Sequence, residues 1–449
     1  MLLGRCLGLP LAWLASSCGG IVTADGTPAP GANSQPENAR VGVDPTGPGG
    51  SGQAASPPTN RGDCEGNCEG QSSSLGGAGP ATPVDEQGGA SGETVAIVAA
   101  DGRGTCFRDE AGLYCWGNNR NGQLGNGSME PHAVPTRVHG SLDPDRLAVG
   151  YSFTCAIERG SLWCWGINQW GNLGMGELQD PETGAGGYDC LTTPGQVGSE
   201  MSWQRVDMGL LHTCGIASGA LFCWGYNRQG QLGQGNSGWG VHDTPLSVGA
   251  FTDWQTLGLG RHHTCAIRQQ ALYCWGWSDS GQTGVGTTTD VEQPTRVGTD
   301  SDWDGVAGGE SHTCGIRSGA LYCWGANEEG ALGLGDYDDR DRPARVGTST
   351  DWDSVAAGAR HTCGIRDGRL FCWGANAAGQ LGVGDVESRA LPAQVGPRQD
   401  WEAVALGFNH TCAIRARAPL CWGDNSDGQL GIGSFDEEPH PEPILVELH

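Results

Sequence analysis

The sequence predicts an all-β fold, a seven-bladed β-propeller of four-stranded blades, on three observations. Seven cysteine pairs recur, each nine positions apart: Cys106 with Cys115, Cys155 with Cys164, Cys214 with Cys223, Cys265 with Cys274, Cys314 with Cys323, Cys363 with Cys372 and Cys412 with Cys421. Their first members are separated by 49, 59, 51, 49, 49 and 49 residues, a near-constant period that marks a repeat architecture. Within each unit the apolar runs are short, alternate with a period of two and are punctuated by Gly and Asn, which are strand signals.

A unit reads roughly DW..VA.G..HTC.I..G.L.CWG.N..GQLG.G, then a variable loop, then P..VG. Four strands follow: one around VA.G, one at HTC.I, one at L.CWG and one at P..V. Seven such units suit a ring, where radial repetition protects the sheet edges. An open solenoid needs capping repeats. The segment Pro443-Ile444-Leu445-Val446-Glu447 is left over after the last unit, and the first unit lacks a P..V strand before Val95. The C-terminal strand is therefore expected to complete the first blade and close the ring.

The repeats occupy 94–449. Before them, residues 1–18 read as an export signal: a short positive start, the apolar run CLGLPLAWLA, then SSCGG. Leu14-Ala15-Ser16-Ser17-Cys18 resembles a bacterial lipoprotein box with Cys18 as the lipidated residue, although Ala15 stands where leucine is preferred. Ordinary signal cleavage is the alternative. The apolar run is too short for a membrane span. Residues 19–93 are rich in Gly, Pro, Ala and Ser without apolar periodicity, a composition expected to form a disordered tether.

The cysteine spacing has a geometric reading. In Cys363-Gly-Ile-Arg-Asp367-Gly368-Arg-Leu-Phe-Cys372, Asp367-Gly368 is a two-residue hairpin signal. Counting outward, Arg366 faces Arg369, Ile365 faces Leu370, Gly364 faces Phe371 and Cys363 faces Cys372. The last is a non-hydrogen-bonded site, where Cα atoms lie about 4.5 Å apart, within disulfide range. Each blade thus gains a cross-strand disulfide, worth roughly 2–3 kcal/mol in the chain-entropy model. Phe371 is expected to cover Gly364. Structural zinc is the competing reading, but two facing cysteines do not supply four convergent ligands. Cys64 and Cys68 are expected to form a small local disulfide, leaving Cys190 over. Nineteen cysteines in this pattern imply an oxidising compartment.

The net charge of −26 argues against nucleic acid and against anionic lipid, so the membrane is expected only through a lipid anchor. All 25 basic residues are arginine, which removes lysine Schiff bases and a phosphate-loop lysine.

The repeats CWG.N..GQLG.G and G..HTC.I resemble the regulator of chromosome condensation repeat family over about residues 94 to 448. WGNNRNGQLGNG (116–127), WGYNRQGQLGQG (224–235), WGANAAGQLGVG (373–384) and WGDNSDGQLGIG (422–433) carry the likeness. The resemblance implies a seven-bladed propeller whose loops bind another protein; here it points to an exported bacterial member. The founding member's roles, nucleotide exchange on a GTPase and chromatin binding, do not suit an exported acidic chain. Departures from the pattern are Gly104 and Phe153 for the histidine of HTC, Ser278 and Thr283 for the turn asparagine and leucine, and Pro419 for a leucine. The fourth and last blades are expected to be the least regular.

His212, His263, His312, His361 and His410 share one repeated position, which marks them as structural, bonding neighbouring backbone. The tryptophans after the second cysteine, and Trp203, Trp254, Trp303, Trp352 and Trp401, read as core and inter-blade packing. No G-x-S-x-G, H-E-x-x-H or phosphate loop is present. The variable loops should emerge on one side and form a binding face. Tyr188, Trp239, Tyr337 and Phe435 lie in them, with Trp170 and Trp277 in nearby turns, and these are the candidate partner anchors. GDYDDRDRP offers Asp336, Asp338, Asp339 and Asp341, but its spacing does not match the calcium loop, and Arg340 and Arg342 are placed to neutralise it.

The sequence thus predicts an exported, monomeric, non-enzymatic propeller that binds another protein, with no cofactor, no metal and no catalytic residues. The place expected is the outer membrane or cell surface. A carbohydrate- or small-ligand-binding surface protein is the first alternative, and a loop-built hydrolase the second.

Overall fold

The computed structural model describes residues 97–178, 190–199, 201–238 and 240–448. Cys18, Cys64, Cys68, Tyr188 and Trp239 lie outside the described residues. Seven antiparallel four-stranded sheets stand around a central channel, each formed by strands consecutive in sequence. The innermost strands contact one another around the whole ring, Ile97–Asp101 against both Arg146–Val149 and Trp401–Leu406. Among the described residues no helix is long and apolar enough to cross a membrane.

The strand assignment differs from expectation in one respect. The C-terminal segment does not enter the first blade. Asp436–Leu445 is the outer strand of the seventh, with Ile444 opposite Cys421. The first blade is complete without it: Ile97–Asp101, Gly104–Asp109, Gly112–Gly117 and His132–Arg137 from the axis outward. The reason is that each P..V segment follows the CWG strand of its own unit and pairs with it. Ring closure therefore rests on side chains and turns.

The hairpin register is the one the cysteine spacing dictates. Cys363 faces Cys372 and Ile365 faces Leu370. The same pairing recurs in the other six blades. Cys106 is bonded to Cys115, Cys155 to Cys164 and Cys214 to Cys223. Cys265 is bonded to Cys274, Cys314 to Cys323 and Cys412 to Cys421. In each of the seven the Cα–Cα separation is 4.1 Å, somewhat closer than the flat-sheet spacing expected of the facing site. Both residues at the hairpin tips take positive φ, as a type I′ turn requires: Asp367 at 49° and Gly368 at 65°. Gln269 and Gln270 hold the same conformation without glycine, at 48° and 58°. Gly364 is covered by a different ring from the one expected. A Cβ there would lie 2.7 Å from the Trp352 indole, and Phe371 packs edge-on against that indole.

Blade joins blade through one carbonyl. The Gln123 carbonyl, in the first blade's GQLG turn, accepts from Trp165 Nε1 (2.9 Å) and Thr154 Oγ1 (2.8 Å) of the second blade. The same double acceptance recurs at every junction. At the last, Gln429 accepts from Trp116 Nε1 and Thr105 Oγ1, both at 3.0 Å. The glycine of the turn lies flat on the next blade's indole. A Cβ on Gly125 would stand 2.5 Å from Trp165 Nε1. The tryptophans of CWG are fully buried in these junctions.

The repeated histidines also bond across blades, each to a side-chain hydroxyl; His410 also meets the backbone of Gly104. Nε2 of His212, His263, His312, His361 and His410 reaches Thr264, Thr313, Thr362, Thr411 and Thr105 at 2.8–3.0 Å. Each threonine gives its hydroxyl proton to the carbonyl behind it, so the imidazole must donate from Nε2. Burial drives these imidazoles down, His263 and His361 to about 3, His312 and His410 to about 4. His212 is lowered by burial as well. The glycine three residues upstream makes room for each ring. A Cβ on Gly309 would meet His312 Cε1 at 2.4 Å.

The fourth blade keeps the common register, contrary to expectation. The seventh keeps it between its second and third strands, but its outer pair shifts register twice where the other blades shift once, as expected of an irregular blade. Elsewhere the turn asparagine accepts from the leucine amide five residues on, as Asn327 does from Leu332 at 3.0 Å. In the fourth blade Ser278 and Thr283 hydrogen-bond to each other through their hydroxyls at 2.7 Å, so two replacements preserve one tie. Pro419 retains the carbonyl that Val446 needs (3.0 Å).

Candidate interaction face

Strand order places the loops. In an antiparallel blade the turn between the first two strands and the loop between the last two leave at the same end. Among the described residues that end gathers the variable loops and the short turns around the channel mouth. The opposite end carries the hairpin tips and the links between blades.

At the mouth the repeat breaks down into individual residues. The position after the conserved glycine holds Tyr151, Leu210, Arg261, Glu310, Ala359 and Phe408 in successive blades. Backbone bonds run around this circle: Leu210 N to Arg261 O, Arg261 N to Gly309 O, Glu310 N to Gly358 O, Phe408 N to Gly102 O. Tyr151 and Phe408 pack with ring centroids 5.2 Å apart. On the other side Glu310 pairs with Arg261 and, at 4.0 Å, with Arg360. The channel beneath has a volume of about 290 Å³.

One carboxyl enters that channel wall. Asp207 faces Cys214 across its strand pair, where the other six blades have Ala99, Ala148, Gly258, Ala307, Ala356 and Ala405. Its oxygens accept from Met208 N and, in the next blade, from Leu259 N, both at 2.8 Å. Burial raises it to about 6 against these two stabilising bonds.

Trp170 and Trp277 are half-buried members of an aromatic row. Trp170 meets Tyr226 edge-on at 5.0 Å, Tyr226 lies 5.9 Å from His262, and His262 lies 6.0 Å from Trp277. Burial, with the Arg261 guanidinium beside it, lowers His262 to about 4. Tyr337 and Phe435 are open, 58% and 53% exposed. Cys190 is half-buried at the start of the outer strand Cys190–Gln196.

Sequence reasoning missed Tyr151, Phe408, Asp207, Tyr226 and His262. The signal was available as non-repetition: each occupies a repeat position where its side chain occurs once or twice among seven. The acidic loop is internally tied. Arg340 pairs with Asp336 at 2.7 Å, and Asp339 accepts from Asn327 N at 2.8 Å. Among the described residues no cluster of three or more ligating side chains is poised for a metal.

The profile of the Regulator of chromosome condensation (RCC1) repeat matches residues 110–157, 218–267, 270–316, 318–365 and 367–414. The chain is 31% identical over 208 residues to the ultraviolet-B receptor UVR8 of Arabidopsis thaliana, covering 44% of each protein. It is 26% identical over 209 residues to the human E3 ubiquitin-protein ligase HERC2, covering 45% of this chain and 4% of that one. The chain thus spans less than half the length of these curated relatives. Human WBSCR16 superposes with a TM-score of 0.65 at 22% identity, over 75% of this chain and 93% of its own. Yeast RCC1 (Prp20), in its crystal structure with Kap60, superposes with a TM-score of 0.65 at 22% identity, over 75% of this chain and 83% of its own. The matched repeats cover more than half of the sequence, and the chain belongs to the regulator of chromosome condensation repeat family.

Proposed function

We propose that this protein is an exported, non-enzymatic propeller that holds another protein on the face carrying its variable loops and channel mouth. One observation carries the reading. The interior repeats from blade to blade, whereas the loop end varies in length and carries unrepeated aromatic residues, Tyr151, Phe408, Tyr337 and Phe435 among them. A scaffold held constant beneath a varied surface is the arrangement of a recognition module. Aromatic side chains supply anchors there. Prp20, in the same family, is crystallised with a protein partner.

Seven buried disulfides support an oxidising compartment. Anchoring through a lipid on Cys18 accords with that placement. The partner-face residues of this proposal are Trp170, Trp277, Tyr337 and Phe435, together with Tyr188 and Trp239. A second reading, glycan binding, is favoured by the row Trp170–Tyr226–His262–Trp277, because aromatic ring faces are the surfaces on which sugars stack.

The test is capture from envelope extract with the full-length oxidised protein, followed by hydrogen exchange on the complex. Protection of 118–131, 277–290, 326–339 and 375–388 supports the face. Protection of the hairpin tips instead, or capture of no protein, overturns it. Binding of a glycan without protein establishes the second reading.

A further inference from the structure

The binding face is not uniform, and its asymmetry describes the partner. In the fifth, sixth and seventh blades the loops 326–339, 375–388 and 426–435 contain eight acidic residues and no basic one. In the first, third and fourth blades, loops 118–131, 227–240 and 277–290 contain three acidic residues and two arginines, while the second blade's loop, 168–189, contains four acidic residues and no basic one, so that charge alone does not single out the sector. Part of the acidic charge is neutralised from the adjoining strands. Arg340 pairs with Asp336, and Arg389 pairs with Asp385 at 2.5 Å. Glu328, Asp338 and Glu387 are exposed, and none of them is in an ion pair among the described residues.

The same three blades expose apolar side chains at one equivalent position, the second residue after the last loop glycine. These are Tyr337, Val386 and Phe435, 58%, 44% and 53% exposed. The equivalents in the third and fourth blades are polar, Ser237 and Thr288, and those in the first and second, Met129 and Leu178, are half-buried. Leu391, 60% exposed, adds to the arc beside Gly335, where a Cβ would lie 3.3 Å from its side chain. Two independent patterns, charge and apolar exposure, thus coincide on one sector of the rim.

We propose that this sector docks a cationic, amphipathic polypeptide segment, its apolar side chains on Tyr337, Val386 and Phe435 and its basic groups against Glu328, Asp338 and Glu387. The inference rests on the loop-face reading and narrows it to a partner chemistry. Charge complementarity selects a basic partner and makes association sensitive to salt. The apolar arc supplies the anchors that a neutral sugar does not need at this charge density.

The experiment uses the full-length oxidised protein and three synthetic 20-residue probes: lysine/leucine, lysine/serine and glutamate/leucine peptides. Binding is read by interferometry at low and high salt. The lysine/leucine peptide is expected to bind, lysine/serine more weakly, and glutamate/leucine not at all. Y337S/F435S is expected to weaken the first by about tenfold or more. E328Q/D338N/E387Q should weaken it and flatten its salt dependence. F251S, an exposed aromatic on the opposite face, is the control and should change nothing. Equal binding of the glutamate/leucine peptide overturns the proposal, as does an F251S effect equal to that of Y337S/F435S. A natural partner that protects the loop face yet binds independently of salt sinks this inference alone. Protection confined to the hairpin tips sinks the loop-face reading with it.

Discussion

Replacing Thr264 with valine tests how one blade holds the next. Valine keeps the shape and removes the hydroxyl. Thr264 Oγ1 gives its proton to Gln231 O at 2.8 Å and accepts from His212 Nε2 at 3.0 Å. Gln231 O keeps its bond from Trp275 Nε1 (2.9 Å), so that carbonyl stays satisfied. The loss of the hydroxyl–carbonyl bond costs about 1 kcal/mol, and the stranded, fully buried imidazole N–H adds about 1–3 kcal/mol. T264V should therefore destabilise by about 2–4 kcal/mol. Thr154 provides the internal control. It makes the same bond to Gln123 O (2.8 Å), but Gly104 stands where the histidine would be. T154V should cost only about 1 kcal/mol. Urea unfolding with disulfides intact, followed by tryptophan fluorescence, measures both. The cycle H212F, T264V and the double variant isolates the pair, with an expected coupling of about 1–3 kcal/mol. Equal costs for T264V and T154V, with no coupling in the cycle, would refute the claim that the histidine stabilises the junction.

D207A should turn from neutral or destabilising at pH 4 to less destabilising or stabilising at pH 8, a swing of about 1–3 kcal/mol. The folded carboxyl at about 6 holds a proton that the unfolded chain loses near 4, so stability falls as pH rises through that window; a pH-independent effect on urea midpoints sinks this. His312 runs the other way: its folded value of about 4 means that stability is lost as pH falls below 6.5, fully below 4. H312F should cut the acid loss between pH 7 and 4 by about 3 kcal/mol, measured by acid titration of unfolding. Q270G, at the hairpin tip with φ of 58°, should stabilise by about 0.5–1 kcal/mol in thermal unfolding, because glycine relieves the left-handed strain.

The spacing of cysteines made the second and third strands of every blade legible, because a two-residue hairpin admits one register. Blade composition was less legible. A P..V strand can pair with the unit before it or after it, and only long-range pairing decides, so the C-terminal strand was placed in the wrong blade. Regularity was misjudged in the fourth blade because Ser278 and Thr283 were read as two separate departures. The structure makes them one compensated pair. The histidines were rightly taken as structural, but their threonine partners are about fifty residues away, and a repeat pattern alone does not show which neighbour a side chain reaches. The proposed face was legible where loops vary, at Tyr337 and Phe435. It was invisible where single residues inside a repeat turn differ, as at Tyr151 and Asp207, since their meaning depends on ring geometry.

Because the first and seventh blades neither share a sheet nor follow one another in sequence, that junction is a seam. At the other six a peptide link tethers the two blades even when their contacts part, so reclosure stays local. At the seam no covalent link joins the blades among the described residues, and its contacts carry the closure entropy of the whole circle. Its chemistry is correspondingly richer. Beyond the shared carbonyl and the His410–Thr105 bond, Asp427 takes Arg103 at 2.7 Å and Asn118 at 2.9 Å, and Arg417 reaches Glu110 at 2.8 Å. A propeller of this design behaves as a clasped bracelet, and its mechanical and proteolytic resistance is set by the clasp.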